Sequence, residues 1–207
     1  VICRPFTQIV AAVVALVFAA GLWLSGSAVN VTWLRYYSIG VFAATLLLTV
    51  WDRWLWRLPL FQHLDPVPTK ISGTWRGTLE SAWVDPATGA TPPSKTVYLV
   101  VRQRYSSIAV VLLTDESRSN STLARITTSD GIASLDYMYL AQPDILIQHR
   151  SRMHHGATSL QISGSPCPRL SGRYWTDRDS KGALDFTEHR PGLASDYEDA
   201  ERLFPTR

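Results

Sequence analysis

Two long apolar segments occupy the first quarter of the chain, and the remaining three quarters are charged, broken by turns and patterned with the alternation of β-strands. From Phe6 through Leu24 no side chain carries a charge. At ~1.5 Å of rise per residue such a run covers about 28 Å, close to the ~30 Å hydrocarbon core of a bilayer. The second segment, Tyr36 to Trp51, is shorter, and the Trp and Leu residues as far as Trp56 extend it into the interface where aromatic rings prefer to sit. Ser25 to Arg35 leaves room for only a short turn. Residues 1–57 therefore predict a two-helix transmembrane hairpin that returns the chain to the side on which it began.

Arg4 precedes the first span and Arg53, Arg57 and Lys70 come after the second, against a lone Arg35 between them. The positive-inside rule then places both termini, and the domain beyond the hairpin, on the cytoplasmic side. A competing reading makes residues 1–28 a secretory signal, with Gly26 and Ala28 near a cleavage site. The length of the first run and the presence of a second favour the hairpin.

Charge narrows the partners. Residues 1–57 hold four basic and one acidic side chain, while residues 58–207 hold sixteen of each. The pI near 9.0 thus reports membrane flanks, and no DNA or RNA polymer is expected as a partner. Cys3 and Cys167 supply no disulfide framework.

Residues 58–70 form a Pro-rich linker ending in Leu64-Asp-Pro-Val-Pro68. From Ile71, strand-like runs recur at about 71–82, 96–105, 107–114, 121–127, 132–140, 144–149, 157–163, 169–177 and 182–188, parted by clusters such as Asp85-Pro-Ala-Thr-Gly89, Ser129-Asp-Gly131 and Asp179-Ser-Lys-Gly182. Residues 71–190 are expected to form an all-β antiparallel domain, a small closed barrel of about eight strands. Residues 191–207 read as an acidic tail or short helix.

Alternation assigns the faces. Val97, Leu99 and Val101 share one side, and the same parity carries Gln103 and Tyr105 to it. Leu135 leads likewise to Tyr137 and Tyr139, and Leu170, Gly172 and Tyr174 lead to Thr176 and Arg178. Apolar inner faces that end in amide, phenol, hydroxyl and guanidinium groups predict a small-ligand pocket at a barrel mouth. His149, His154 and His155 near Asp144 have no Cys companion and sit beside Arg150 and Arg152, so no metal site is expected. Neither a Gly-x-Ser-x-Gly setting nor a Gly-rich phosphate loop is present, which points away from an enzyme.

Several ordered motifs resemble the two-transmembrane, β-strand-rich effector of CBASS anti-phage systems, associated with the cyclic oligonucleotide synthases called CD-NTases. They are Gly73-Thr-Trp75-Arg-Gly77, Val101-Arg-Gln103, Thr114 with Ser117, Ser119 and Ser121, Tyr137-Met-Tyr139, His155-Gly156, and Gly172-Arg-Tyr174-Trp-Thr176-Asp-Arg178 with Gly182 after it. The resemblance implies a cytoplasmic barrel that binds a cyclic dinucleotide made by a CD-NTase during infection. It further implies self-association and disruption of the inner membrane by the helices, so that infected cells die or stop growing. The Arg150-Ser-Arg-Met-His-His155 loop departs from the family pattern and puts the role of His155 in question.

A cyclic dinucleotide presents phosphates, bases and ribose hydroxyls, and needs a cation, hydroxyl donors, stacking rings and an amide. Arg178 suits a phosphate. Thr176, Ser117 and Ser119 suit phosphate or ribose, while Tyr105, Tyr137 or Trp75 can stack and Gln103 can read a base edge. Trp75 suits the core better than a stacking role, and Ser117 and Ser119 also suit turn capping. Ala11, Ala15 and Ala19, with Gly40 and Ala44, give each span a small-residue face for helix packing, in the lipid bilayer, against a second copy. The alternative function is a membrane-tethered lipocalin-like carrier of an apolar small molecule, because Gly73-Thr-Trp75 with a late-strand Arg resembles the lipocalin closure. A third is an anchor that recruits a partner by its sheet edge. None of these readings calls for a cofactor.

Overall fold

A computed structural model describes residues 4–25, 31–64, 67–84, 89–147 and 152–205. Cys3, Gly26 and Ala28, Asp65 and Pro66, Asp85 to Thr88, and His149 to Ser151 lie outside the described residues. The chain divides into two compact units, residues Val1–Phe61 with Arg104–Ser106, and Gln62–Gln103 with Ser107–Arg207.

The first unit contains α1 (Arg4–Ser25) and α2 (Val31–Arg53), which pack on one another. Gly40 and Ala44 are buried on α2, and a Cβ on Gly40 would lie 3.0 Å from Val17 Cγ1. The small residues of α2 are thus used inside the hairpin, whereas Ala11, Ala15 and Ala19 of α1 face outward. Among the described residues one stretch, Tyr37–Arg57, is long and apolar enough to cross a membrane, and the apolar run of α1, Ala11–Gly21, is shorter. The two helices of the expected hairpin are present, and among the described residues one stretch, beginning in α2, meets the requirement for a span. Tyr105 belongs to this unit: its ring meets Trp51 edge-on at 5.9 Å, and its N–H donates to the Asp52 carbonyl at 3.1 Å.

The second unit is the expected closed antiparallel barrel of eight strands, each paired with its sequence neighbours and β1 closing on β8. The strands are β1 (Gly73–Ser81), β2 (Lys95–Gln103), β3 (Ile108–Leu113), β4 (Ser117–Ser129), β5 (Ile132–Pro143), β6 (His154–Ser163), β7 (Arg169–Thr176) and β8 (Lys181–Arg190). Short turns join β2 to β3, β3 to β4, β4 to β5 and β7 to β8. Asp130 and Gly131, both at positive φ, make the two-residue β4–β5 hairpin that an Asp-Gly pair favours. Of the nine expected runs, the sixth, 144–149, is not a strand in its described part. Asp144 Oδ1 accepts the Leu146 N–H at 2.9 Å, and this Asx turn starts a 3₁₀ turn at Ile145–Ile147.

The inward side chains Val97, Leu99, Val101, Val110, Leu112, Leu135, Leu160, Leu170, Leu184 and Phe186 form the main core. The outward side chains Tyr98 and Val100 of β2 and Val111 and Leu113 of β3 are buried too, under Ala194, Ala200 and Phe204. These belong to the carboxy-terminal segment and its helix α3 (Tyr197–Leu203), whose Asp196 caps the Asp199 N–H at 2.8 Å. The acidic residues of this segment face water while its apolar residues complete a second core.

Candidate functional site

Strand direction alternates around an antiparallel barrel, so β2 ends where β1 begins and β5 and β7 end at the opposite mouth. Inner-face residues that the sequence alone groups together are therefore divided between two ends. At the first end, Gln103 Nε2–H donates to the Thr69 carbonyl at 3.0 Å and its Oε1 accepts the Ile71 N–H at 2.9 Å. Trp75 donates its indole N–H to the Ile71 carbonyl at 2.9 Å and lies 4.4 Å from the His189 ring. Gln103, Trp75 and Ile71 are all buried, and the Gln103 and Trp75 side chains fix the segment before β1 at this end of the barrel.

The opposite end is polar. Following the register across the strands, Ala133, Ile162, Leu170 and Phe186 form one inward row, and Leu135, Leu160, Gly172 and Leu184 the next. The third row is Tyr137, Thr158 and Tyr174, and the fourth is Tyr139, Gly156 and Thr176. The interior thus changes from aliphatic to hydroxyl-bearing along β5, β6 and β7. Tyr139 lies over Gly156, where a Cβ would come 2.3 Å from the ring carbon Cζ, so the glycine makes room for the phenol. The rings of Tyr137 and Tyr139 are 5.9 Å apart.

Two hydroxyls in the third row are unusual. Tyr137 Oη and Thr158 Oγ1 are both buried on directly paired residues, close enough for the Thr158 hydroxyl to act on the phenol, yet neither makes a hydrogen bond of ordinary geometry among the described residues. An unmet buried hydroxyl costs roughly 1–3 kcal/mol. Burial pushes the Tyr137 phenol well above its ordinary range, with the nearby Thr158 hydroxyl opposing it. Tyr139 is pushed up to about 12 by burial and then by Tyr174 and Asp177, against Arg178. Both phenols remain donors at physiological pH.

Around the mouth, several hydroxyls serve the turns. Thr176 Oγ1 lies 2.7 Å from Ser180 Oγ, and Ser117 Oγ lies 3.0 Å from Thr114 Oγ1. Asp177 Oδ2 accepts the His155 N–H and its own N–H donates to the His155 carbonyl, each at 3.0 Å. Arg178 extends from this turn, exposed, with its Nη1 3.4 Å from the Arg152 carbonyl. Ser119 is buried in the inward row with Leu112 and Ala141. His155 pairs with Leu140 on the outward parity, and His154, paired with Ala141, takes the inward one. The structure therefore gathers Tyr137, Ser119, Thr176 and Arg178 at one end, and adds Thr158, Tyr139, Tyr174 and His154. Gln103 and Trp75 lie at the other end, and Tyr105 lies in the other unit. The alternation pattern contained Tyr139 and Tyr174, and one more step along β6 would have reached Thr158.

A second feature is on the outside. A groove of about 980 Å³ crosses β5 to β8 and β1, lined by Ser134, Ser159, Gln161, Arg173, Trp175 and Lys181 among others. Beside it the Asp136 carboxylate accepts from Thr127 at 2.8 Å, Ser134 at 3.1 Å and Ser159 at 2.6 Å. Burial would raise its pKa, and the three hydroxyls outweigh that and lower it.

Two histidines set the pH response, His154 half-buried at the mouth and His189 exposed but with its ring beside Trp75. Burial lowers the ring pKa of His154, beside Arg178, Asp177 and His155, and that of His189, beside Lys70 and Arg190. The unfolded state then binds more protons between the lowered folded values and the ordinary 6.5, so stability falls as pH drops through that interval. Asp136 acts in a separate window: its contribution is lost only as pH falls below 3.8 towards its lower folded value. The melting temperature is expected to fall by roughly 2–4 °C between about pH 7.5 and 5.5, and His189→Gln should shrink that difference. A flat profile in calorimetric scans would remove both histidines from this role.

Comparison with known proteins gives the same picture. Residues 66–188, more than half of the chain, match the family model described as Cap15, cyclic dinucleotide receptor domain. CD-NTase-associated protein 15 of Staphylococcus schleiferi is 25% identical over 155 residues, covering 75% of this chain and 80% of the relative. The resemblance carried by the ordered motifs thus agrees with a match that spans the whole barrel, and the chain belongs to the Cap15 cyclic dinucleotide receptor domain family.

Proposed function

We propose that this protein is a non-enzymatic membrane effector of CBASS anti-phage defence whose barrel senses a cyclic dinucleotide made by a CD-NTase. The observation that carries the reading is the buried pair of Tyr137 and Thr158 hydroxyls, neither in a hydrogen bond of ordinary geometry among the described residues, beneath a mouth bearing Tyr139, Tyr174, His154 and Arg178, within a domain of the receptor family. A base entering the mouth meets tyrosine rings to stack on and two hydroxyls to bond. Arg178 then reaches a phosphate. Ligand binding drives self-association through its preference for the assembled state, and the helices disrupt the inner membrane, ending growth of the infected cell. Both termini and the barrel are cytoplasmic in this reading.

The test is calorimetric titration of the full chain in detergent with cyclic di-AMP, cyclic di-GMP and mixed purine–pyrimidine cyclic dinucleotides. Tyr137→Phe is expected to weaken binding at least tenfold while leaving the unliganded melting temperature unchanged or higher, because an unsatisfied hydroxyl is removed. Arg178→Ala should also lose at least tenfold, and Arg173→Ala should not. The reverse pattern would move the ligand to the outer groove. Silence across the panel, with bound lipid released on denaturation, would favour the apolar-ligand carrier.

A further inference from the structure

The barrel is closed, but the β3–β4 seam is short. Only Val111, Leu112 and Leu113 pair with Asn120, Ser119 and Arg118. One step further the Val110 N–H turns to the Ser121 side chain, at 2.9 Å, and a bulge between Ser121 and Leu123 carries β4 away from β3. From residue 122 to 129, β4 keeps its ladder to β5 and has no strand on its other side among the described residues. Such an edge presents alternating N–H and carbonyl groups with nothing to receive them. Neither a proline nor a lysine guards it, and Arg125 is its one charge.

An apolar row begins at this edge. On the outer face Leu123 pairs with Met138, Met138 with Ala157, and Ala157 with Trp175. Leu123, Met138 and Trp175 are 62%, 54% and 51% exposed, so the row contributes little to either core. Polar side chains flank it, with Arg125, Asp136, Ser159 and Arg173 along one side. Exposed apolar groups lined up across four strands and rimmed by polar residues mark a contact surface.

We propose that the free edge of β4 and the Leu123–Met138–Ala157–Trp175 row form the surface through which two copies of this chain join. An unpaired strand edge is satisfied by another strand, since neither a nucleotide nor a lipid headgroup offers donors and acceptors at strand spacing. The identical edge of a second copy supplies them about a two-fold axis. An antiparallel pairing centred on Ala124 sets Leu123 against Arg125 of the other copy, brings the Leu123 ends of the two apolar rows together across the axis, avoids an Arg–Arg contact and keeps outward residues opposite outward residues. Residues 58–207 hold equal numbers of acidic and basic side chains, so two such domains approach without net repulsion. This rests on the self-association in the function proposed above and names the surface that performs it.

The test is sedimentation of the full chain in detergent over a range of concentrations, without nucleotide and with cyclic di-AMP or cyclic di-GMP. The double variant Leu123→Lys, Met138→Lys replaces two exposed side chains, so its melting temperature and nucleotide titration should match the wild type. Its association is expected to require at least tenfold higher protein concentration. Association equal to wild type would overturn the proposal, because the helices or another face would then carry it. A wild type that stays monomeric under all these conditions would overturn it too, as would a variant whose only change is weaker co-sedimentation with lipid vesicles. Association that depends on the row, in a protein that binds none of the nucleotides, would uphold this surface while removing the receptor reading.

Discussion

A chain ending at Arg190 is expected to lose its cooperative melting transition and to aggregate. Residues beyond that point cover Tyr98, Val100, Val111 and Leu113, each at most 7% exposed in the intact protein. At about 1.5–3 kcal/mol for each large apolar side chain returned to water, four of them represent a loss on the scale of the ~5–15 kcal/mol that holds a domain together. The segment also satisfies the buried Thr74 hydroxyl, which donates to the Gly192 carbonyl at 2.7 Å and accepts the Ala194 N–H at 3.0 Å. Arg76 and Arg190 lie over the Phe204 ring at 5.5 and 5.8 Å, so removal of the ring also ends these cation–π contacts. Phe204→Ala gives a graded version, with an expected cost of about 3–5 kcal/mol. A truncated chain that melts like the full one in calorimetry would show that the second core is dispensable.

The second large effect is expected at Gly172. A Cβ there would lie 2.0 Å from the Ser159 carbonyl oxygen and 2.9 Å from Leu160 Cα, both backbone atoms of β6. No rotamer change relieves such a clash, and moving β6 breaks the register that stacks the inward rows. Gly172→Ala is therefore expected to cost more than ~3 kcal/mol and to give little folded protein. Gly131→Ala is the control. It has nothing within 4 Å of its Cβ but a φ of +77°, so only backbone strain of roughly 1–2 kcal/mol is expected. Equal melting temperatures for the two variants would show that β6 and β7 can separate more readily than the close approach implies.

How far the site was legible depends on how local each feature is. The period of two fixed the inward parity of Leu135, Tyr137 and Tyr139 and of Leu170, Gly172 and Tyr174, because successive side chains on any strand point to opposite faces. It also carries a signal for the second core: both parities of Val97 to Val101 and of Val110 to Leu113 are apolar, as in strands covered on both sides. His154 and His155 show the limit. They are adjacent and chemically alike, and only the pairing of β5 with β6 assigns one to the interior.

The sequence by itself determined an apolar helical start, an all-β domain, its turns, its inward faces and, through ordered motifs, its family. Tertiary structure alone decided that Gln103 and Trp75 fix the segment before β1 at one end while Tyr139, Thr176 and Arg178 meet at the other. It also decided that the Tyr137 and Thr158 hydroxyls are buried side by side outside any hydrogen bond of ordinary geometry among the described residues, that the acidic tail covers a core, and that β4 departs from β3 after three pairs. The physical reason is range. Alternation and turn chemistry are set within a few residues, whereas the direction in which a strand runs, the neighbour it meets and the point where two strands part depend on partners tens of residues away.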